Sequence, residues 1–235
     1  MPTITSKILA IDIGGSHVKG TVLDKNGKLL LDYKKVVTPQ PATPAKVLAA
    51  IKVLVKDFPA YNKIAVGFPG YVKDNVVITA PNLGTKYWQQ TDFAKMLTTA
   101  LRKPAKVIND ADMQGLGVAK GKGLEMVVTL GTGFGTALLH DGVLLPHLEL
   151  AHHPIAKKMT YDEYIGEKAL EKIGDKKWNA RLQLIIGVLK TVFNYDTLYI
   201  GGGNAARINF KPEKNIRIVN NIDGIHGGAK LWERG

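Results

Sequence analysis

The sequence predicts an α/β protein made of two related lobes with a cleft between them. A strand, a glycine turn and a returning strand occur once in each half of the chain, in LAIDIGGSHVKGTVL from residue 9 and in MVVTLGTGFGTALL from residue 126. Strand-like and helix-like segments alternate after each unit, so the two halves share one architecture. We predict an N-terminal lobe over 1–108 and a C-terminal lobe over 109–235, whose final helix packs back on the N-terminal lobe.

The individual elements follow from turn signals and from the periodicity of apolar residues. In the first half these predict three strands within 7–37, with a hairpin turn at Asn26 and Gly27, and a helix over 44–57. Beyond it they predict strands over 63–70, 75–80 and 105–110, a helix over 91–103 capped by Thr91 or Asp92, and a helix over 111–121. In the second half they predict three strands within 125–145, a loop over 146–158, helices over 161–173 and 177–194, and a strand over 197–203 that a helix follows.

Composition narrows the class of protein. The chain has 235 residues, 45% hydrophobic and 22% charged, which is typical of a globular protein and excludes collagen-like and disordered chains. Its net charge of +12 indicates a polyanionic partner, such as nucleic acid, polyphosphate or an anionic surface. The absence of cysteine excludes a disulfide framework and fits a reducing cytoplasm. No signal-like start and no long apolar run occur, so we expect no membrane segment.

Three glycine turns indicate a phosphate site, because glycine lets backbone amides approach an anion closely. In the first glycine turn, residues 14–16, Ser16 adds a hydroxyl, Asp12 could hold a hydrated Mg²⁺, and Lys19 adds positive charge. The second glycine turn covers 131–135, with alternating glycines and one hydroxyl. The third covers 201–203 and precedes a predicted helix, whose N-terminus favours anions. Each alone could be a plain bend between elements, but the three together predict a phosphate-binding cleft.

Further polar segments could act on a substrate. In NDAD, at the junction of a strand and a helix, a carboxylate can accept a proton from a substrate hydroxyl, or Asp110 or Asp112 can cap the helix. In the 146–158 loop, Glu149 and His152 could bind vicinal sugar hydroxyls. The alternatives there are a polar loop and, less favoured, a transition-metal site. Asn82, in APNLG, is by itself typical of a turn.

In chain order, LAIDIGGSHVKG, VGFPGYV, APNLG, VINDAD, LGTGFGTALLHDG, ELAHH and LYIGGG resemble the motifs of the ROK sugar kinases. These belong to the actin-like, ribonuclease-H-like ATPase superfamily. The likeness covers nearly the whole chain and is greatest to the polyphosphate glucokinase branch, because of NDAD, the short span after ELAHHP and the segment DKKWNARLQ. It implies a two-lobed actin-like fold, a homodimer, and Mg²⁺-dependent transfer of a terminal phosphoryl group from polyphosphate, ATP or both to the 6-hydroxyl of glucose or a related hexose.

The same resemblance implies roles for individual residues. Asp110 is the general base on the sugar 6-hydroxyl, and Asp12 holds Mg²⁺ through water. The implied sugar-binding residues are Asn82, Asn109, Asp110, Glu149, His152 and a late glutamate, either Glu163, which we favour, or Glu167. The implied donor-binding residues are Asp12, Gly14, Gly15, Ser16, Lys19, Thr132, Gly133, Gly201, Gly202 and Gly203.

Two departures from the family pattern have consequences. The usual zinc motif of clustered cysteines is missing, so we expect no structural zinc, as in the polyphosphate branch. Ala151 replaces the commoner glycine before His152, which bears on which hexose is accepted. Lysines that could guide a polyphosphate chain are Lys34, Lys35, Lys120, Lys122, Lys157, Lys158, Lys176 and Lys177.

Two other classes of function fit less well. A ROK-type sugar-sensing regulatory or binding protein without kinase activity is the alternative, but the motifs start too near the N-terminus to leave room for a helix-turn-helix. A nucleic-acid-binding protein of the ribonuclease-H-like superfamily would leave ELAHH without a role. We therefore expect no nucleic-acid partner.

Overall fold

The computed structural model describes residues 6–219 and 225–233, which form two compact units. The first unit draws its residues from 1–117 and 225–235, and the second from 118–224. Each contains a five-stranded mixed sheet with helices, which confirms the predicted α/β class. The division at 108 and 109 stays a prediction. Among the described residues, no helix combines the length and the apolar character needed to cross a membrane.

The first unit is built on a sheet of strand order β3-β2-β1-β4-β8. Strands β1, β2 and β3 are antiparallel neighbours, whereas β1, β4 and β8 are parallel. Its strands are β1 (Ile8–Ile13), β2 (His17–Leu23), β3 (Lys34–Val37), β4 (Lys63–Phe68), β5 (Val72–Lys73), β6 (Val76–Val77), β7 (Thr91–Asp92) and β8 (Ala105–Asn109). Its helices are α1 (Pro44–Val55), α2 (Thr85–Trp88), α3 (Phe93–Leu101) and α4 (Asp110–Val118).

Most predicted elements of the first unit form, with two shortened strands. The predicted third strand, which ends at residue 37, pairs regularly with its neighbour only over β3. Leu29, earlier in the chain, makes just an isolated bridge to Leu23. The strand expected over 75–80 is reduced to β6. Asp92, rather than Thr91, caps α3, since its Oδ1 accepts the amide hydrogen of Lys95 at 2.8 Å.

The second unit has the strand order β11-β10-β9-β14-β15. Its strands are β9 (Leu124–Leu130), β10 (Phe134–His140), β11 (Val143–Leu144), β12 (Pro154–Ala156), β13 (Met159–Thr160), β14 (Thr197–Gly201) and β15 (Ile216–Ile218). Its helices are α5 (Tyr161–Ile165) and α6 (Glu167–Phe193), with 3-10 turns at Leu150–His152 and Gly203–Arg207. The predicted 146–158 loop is thus partly ordered, since β12 pairs with β13. The break predicted between two helices is a residue of non-helical geometry, Gly174, within α6.

The last described helix, α7 (Gly227–Lys230), packs on the first unit. A Cβ at Gly227 would overlap the carbonyl oxygen of Met113 on α4, and one at Gly228 would lie 3.1 Å from the Cβ of Ala10 on β1. The Trp232 indole N–H donates a 3.2 Å hydrogen bond to the carbonyl of Ile64 on β4. This terminal segment therefore covers one face of the first sheet and supports α4.

Candidate active site

Two acidic residues of the first unit lie at one edge of its sheet. Asp12 on β1 is directly opposite Gly67 on β4, which is opposite Ile108 on β8, and Asp110 follows two residues later. All three strands are parallel, and the carboxyl ends of parallel strands are where α/β sheets bind ligands. A Cβ on Gly67 would lie 3.3 Å from the Cα of Asp110 and 2.8 Å from Cε of Met113. Gly67 therefore leaves the space in which Asp110 and the start of α4 sit.

The cap of α4 is Asn109, which fixes the position of its neighbour Asp110. The Asn109 side chain is buried, and its Oδ1 accepts the amide hydrogens of Ala111 at 2.8 Å and Asp112 at 3.2 Å. Its Nδ2 donates to the carbonyl of Gly70 at 3.1 Å. Asp110 Oδ1 also accepts the Ala111 amide hydrogen at 2.8 Å. Capping at this junction is thus done mainly by Asn109.

Hydrogen bonds with neighbouring residues hold the first glycine turn in place and leave two of its backbone amides available to a ligand. The amide of Gly14 donates to the carbonyl of His17 at 2.9 Å, and the amide of Thr38 donates to the carbonyl of Ser16 at 3.0 Å. The Thr38 hydroxyl donates to the Gly14 carbonyl at 2.6 Å. Over 6–219 and 225–233, the amides of Gly15 and Ser16 make no hydrogen bond. They can therefore donate to an anion, as the sequence predicts.

The side chains predicted to accompany this turn lie beside it. The ammonium of Lys19 is 3.9 Å from Oδ2 of Asp12, whose side chain is 37% exposed. Desolvation raises the pKa of the Asp12 carboxyl, and the charge of Lys19 partly opposes this. Asn82 is exposed, and its Cβ would be 3.9 Å from a Cβ on Gly15. The structure thus brings four predicted residues of the first unit together.

In the second unit, the second and third glycine turns meet. The carbonyl of Gly131 accepts the amide hydrogen of Glu167 at 2.9 Å and an Nδ2 hydrogen of Asn204 at 3.2 Å. Gly202 has φ +91°, and a Cβ there would overlap the backbone of Leu130. Close packing therefore accounts for Gly202. The helix expected after the third turn is a five-residue 3-10 turn, so the predicted α-helix N-terminus is not formed there.

The predicted histidine loop is organised around one carboxylate. Oε1 of Glu149 lies 3.3 Å from Nε2 of His147, and its Oε2 lies 3.8 Å from Nε2 of His152. His147 is buried, whereas the side chain of His152 is 52% exposed. Glu149 therefore has one buried and one exposed imidazole as neighbours. In the part of the chain that the structure describes, no group of three or more acidic or histidine residues could hold a metal ion.

Asp162, at the start of α5, belongs to the same neighbourhood and was missed by sequence reasoning. Its Oδ1 accepts the amide hydrogen of Phe134 at 2.6 Å, and a Cβ on Gly133 would lie 2.6 Å from the same oxygen. Desolvation raises the pKa of Asp162, with opposing contributions from the Phe134 hydrogen bond and from His152, while Glu149 raises it further. Asp162 therefore contacts the second glycine turn and interacts electrostatically with the histidine loop.

The two glutamates considered for the late sugar contact lie in different settings. Oε2 of Glu163 accepts the amide hydrogen of Thr160 at 2.9 Å, and the two residues form the capping box of α5. The amide of Glu167 is bound to the second glycine turn, and its side chain is exposed. Their roles stay predictions. The signal that could have pointed to Asp162 is its place in the first turn of a helix immediately after a capping threonine.

Comparison with known proteins gives one consistent family. The ROK family model matches residues 8–148. The polyphosphate glucokinase of Mycobacterium tuberculosis (strain H37Ra) is 34% identical over 221 residues, covering 90% of this chain and 81% of the relative. The crystal structure of the inorganic polyphosphate/ATP-glucomannokinase from Arthrobacter sp. strain KM has a TM-score of 0.87 and 34% identity, covering 96% of this chain and 98% of that one.

A more distant structure shares the fold alone. The ROK family glucokinase from Streptomyces griseus, solved with glucose and AMPPNP, has a TM-score of 0.78 at 18% identity, covering 98% of this chain and 100% of that one. The resemblance inferred from the motifs and the α/β fold of that family are thereby confirmed. This chain belongs to the ROK family.

Proposed function

We propose that this protein is a ROK-type glucokinase, which moves a terminal phosphoryl group from polyphosphate, ATP or both to the 6-hydroxyl of glucose or a related hexose. The observation that carries the proposal is the arrangement at the carboxyl edge of the first sheet. There, Asp12, Asp110 and the free amides of the first glycine turn occur together. Phosphoryl transfer needs a positioned base and donors for the developing charge, and this edge supplies both.

We assign the chemical step to Asp110. Its carboxylate accepts the proton of the sugar 6-hydroxyl as that oxygen attacks the terminal phosphorus, and the remaining donor leaves with the bridging oxygen. Asn109 holds the start of α4 and thereby the base. The sugar hydroxyls are bound by Asn82, Asn109, Glu149, His152 and a late acid, for which we add Asp162 to Glu163 and Glu167.

We assign the donor to the glycine turns. The amides of Gly15 and Ser16 and the ammonium of Lys19 bind the transferring phosphate, because they are unshielded donors beside Asp12. Donor contacts in the second unit are assigned to Thr132, Gly133, Gly201, Gly202 and Gly203. A single carboxylate that is partly exposed suits Mg²⁺, which keeps most of its water and phosphate ligands. Asp12 would hold this ion through water, and the ion would neutralise phosphate charge.

Assembly and location are part of the same proposal. We expect a cytoplasmic homodimer without nucleic-acid or membrane partners. On α6, Leu184 and Val192 are 50% and 63% exposed, which suits a face covered by a second copy. Light scattering at micromolar concentration tests this: a mass of one chain would contradict the dimer.

The direct test is glucose 6-phosphate production with polyphosphate or ATP as the sole donor, over a series of salt concentrations. We expect product with polyphosphate, at rates that fall steeply with salt because a polyanion releases counterions on binding. In parallel, calorimetry measures whether the protein binds glucose. Glucose binding without product from either donor would favour the sugar-binding regulator instead.

A further inference from the structure

A row of charged side chains crosses the first sheet beside the first glycine turn. The pairing register places Lys35 of β3 directly opposite Lys19 of β2, and Lys19 directly opposite Asp12 of β1. Directly opposite residues project from the same face of a sheet. The three side chains therefore form one line, which starts at Asp12 and ends on the edge strand β3. We call it the Lys35–Lys19–Asp12 row.

The row carries more positive charge than its own acid can balance. The ammonium of Lys19 is 3.9 Å from the Asp12 carboxylate, and Lys35 is exposed. Within the described ranges, Lys35 makes no ion pair. Like charges directly opposite each other destabilise a sheet, so a pair of facing lysines is unfavourable unless an anion lies over them. The arrangement indicates an anionic ligand on this face.

The neighbouring lysine points the other way. The ammonium of Lys34 lies 5.6 Å from the centre of the Phe58 ring, and Val36 packs in the core on that same side. Successive residues of a strand alternate between faces, so Lys35 joins the row and Lys34 does not. Lys34 is therefore a matched control, one residue away and of equal charge.

Resting on the proposed function, in which Lys19 binds the transferring phosphate, we propose that Lys35 binds the part of a polyphosphate donor that lies beyond that phosphate. The row spans two strand spacings, about 10 Å, which is longer than one phosphate group. All its side chains are charged and none offers an aromatic face to a nucleobase. It leads to an edge strand, so a chain of any length can continue past Lys35.

The kinetic test compares Lys35→Gln with Lys34→Gln, using long-chain polyphosphate and ATP as separate donors. For Lys35→Gln we expect the KM for polyphosphate to rise about fivefold, as for loss of one partly exposed charge pair, with kcat unchanged. Its KM for ATP and the constants of Lys34→Gln should stay near wild type. Equal effects of the two variants on polyphosphate, or none for Lys35→Gln, would overturn the subsite.

A binding measurement separates this subsite from the proposed reaction. Fluorescence anisotropy with end-labelled polyphosphate, without sugar, needs no turnover. Wild type should bind with an affinity that falls with salt, and Lys35→Gln should reduce the slope of log affinity against log salt by about 0.7, as for one lost phosphate contact. If Lys35→Gln weakens polyphosphate binding, the result supports the subsite at Lys35 even where no glucose 6-phosphate forms. The absence of glucose 6-phosphate would refute only the proposed function. If the wild-type protein does not bind polyphosphate, the assignment of a polyphosphate subsite to the Lys35–Lys19–Asp12 row is wrong.

Discussion

The Thr38 hydroxyl donates a 2.6 Å hydrogen bond to the carbonyl oxygen of Gly14, and so ties the residue after β3 to the first glycine turn. Thr38 is only 2% exposed, so water does not compete for this bond. Its amide holds the carbonyl of Ser16 at the same time. Two carbonyls of the turn are thus directed outward, which leaves the amides of Gly15 and Ser16 on the other side.

Replacing Thr38 by valine should weaken donor binding while the fold is kept. Valine has nearly the same shape but cannot donate to Gly14, and one hydrogen bond contributes about 1 kcal/mol, or about a fivefold change in KM for the donor. Steady-state kinetics with donor varied at saturating glucose measures this. Thr38→Ser, which keeps the hydroxyl, should bind the donor more tightly than Thr38→Val. A donor KM equal to wild type in a folded Thr38→Val would show that the turn does not need this bond.

Asp110→Asn should fold normally and lose turnover. The amide keeps an oxygen that can accept the Ala111 amide hydrogen but cannot take the sugar proton, so kcat should fall by about 10²–10⁴-fold. Coupled assays give kcat, and circular dichroism with thermal melting checks the fold. Asp92→Asn changes a cap on α3 and should leave kcat unchanged. Near-normal turnover in Asp110→Asn would remove Asp110 as the base.

Two glycine-to-alanine changes should act in opposite directions. At Gly67 the new methyl would lie 3.3 Å from the backbone Cα of Asp110, besides 2.8 Å from the movable Cε of Met113, so crowding should cost about 1–3 kcal/mol and displace Asp110. At Gly187, inside α6, a new methyl would meet no heavy atom within 4 Å outside its own helix backbone, so alanine should stabilise the helix by about 0.5–1 kcal/mol. Urea unfolding gives both values. A stabilising Gly67→Ala would contradict the close packing under α4.

Glu125 should make the second unit sensitive to acid. This buried carboxylate accepts amide hydrogens from Lys120, Gly121 and Lys122 and the hydroxyl hydrogen of Tyr199. Desolvation raises its pKa, but these hydrogen bonds outweigh that and hold the pKa below its ordinary value of 4.5. Burial, together with the hydrogen bond to Glu125 and its charge, raises the pKa of Tyr199 to about 12.

Because the folded-state pKa of Glu125 is the lower one, its stabilisation is complete above 4.5 and is lost as the pH falls through the folded-state pKa. Melting temperature against pH should therefore drop on the acid side in wild type. In Glu125→Gln it should be lower at neutral pH and fall less in acid. Parallel curves for the two proteins would contradict this role. Tyr199→Phe removes a hydrogen bond to a buried charged carboxylate and should cost about 1.5–3 kcal/mol in the free energy of unfolding at neutral pH.

Local signals in the sequence were sufficient for the strand–turn–strand units and for the junction at Asp110. The glycines and alternating apolar residues there are contiguous, so short-range rules apply. The same rules extended the third strand too far, because whether Leu29 joins a ladder depends on a partner strand. They also leave Thr38 between the predicted third strand and the predicted helix over 44–57 without a role, although its hydroxyl bonds to a residue 24 positions earlier.

The sequence alone does not show in which register neighbouring strands pair. The sequence groups Lys34 with Lys35 as one pair, and only the pairing of β3 with β2 separates them onto two faces. Asp162 was missed for a similar reason, since its relation to Gly133 joins α5 to a turn 29 residues earlier in the chain. The packing of Gly202 against Leu130 is by itself sufficient reason for a glycine there, so the donor contact assigned to Gly202 stays a prediction.

The docking of the terminal segment on the first unit affects the order of events during synthesis. Gly227 and Trp232 contact α4 and β4, yet the ribosome produces them after every described residue of the second unit. All residues of the second unit have therefore been synthesised while one face of the first sheet is still not covered by the terminal segment. Nascent chains halted before residue 225 should therefore expose that apolar face to chaperones.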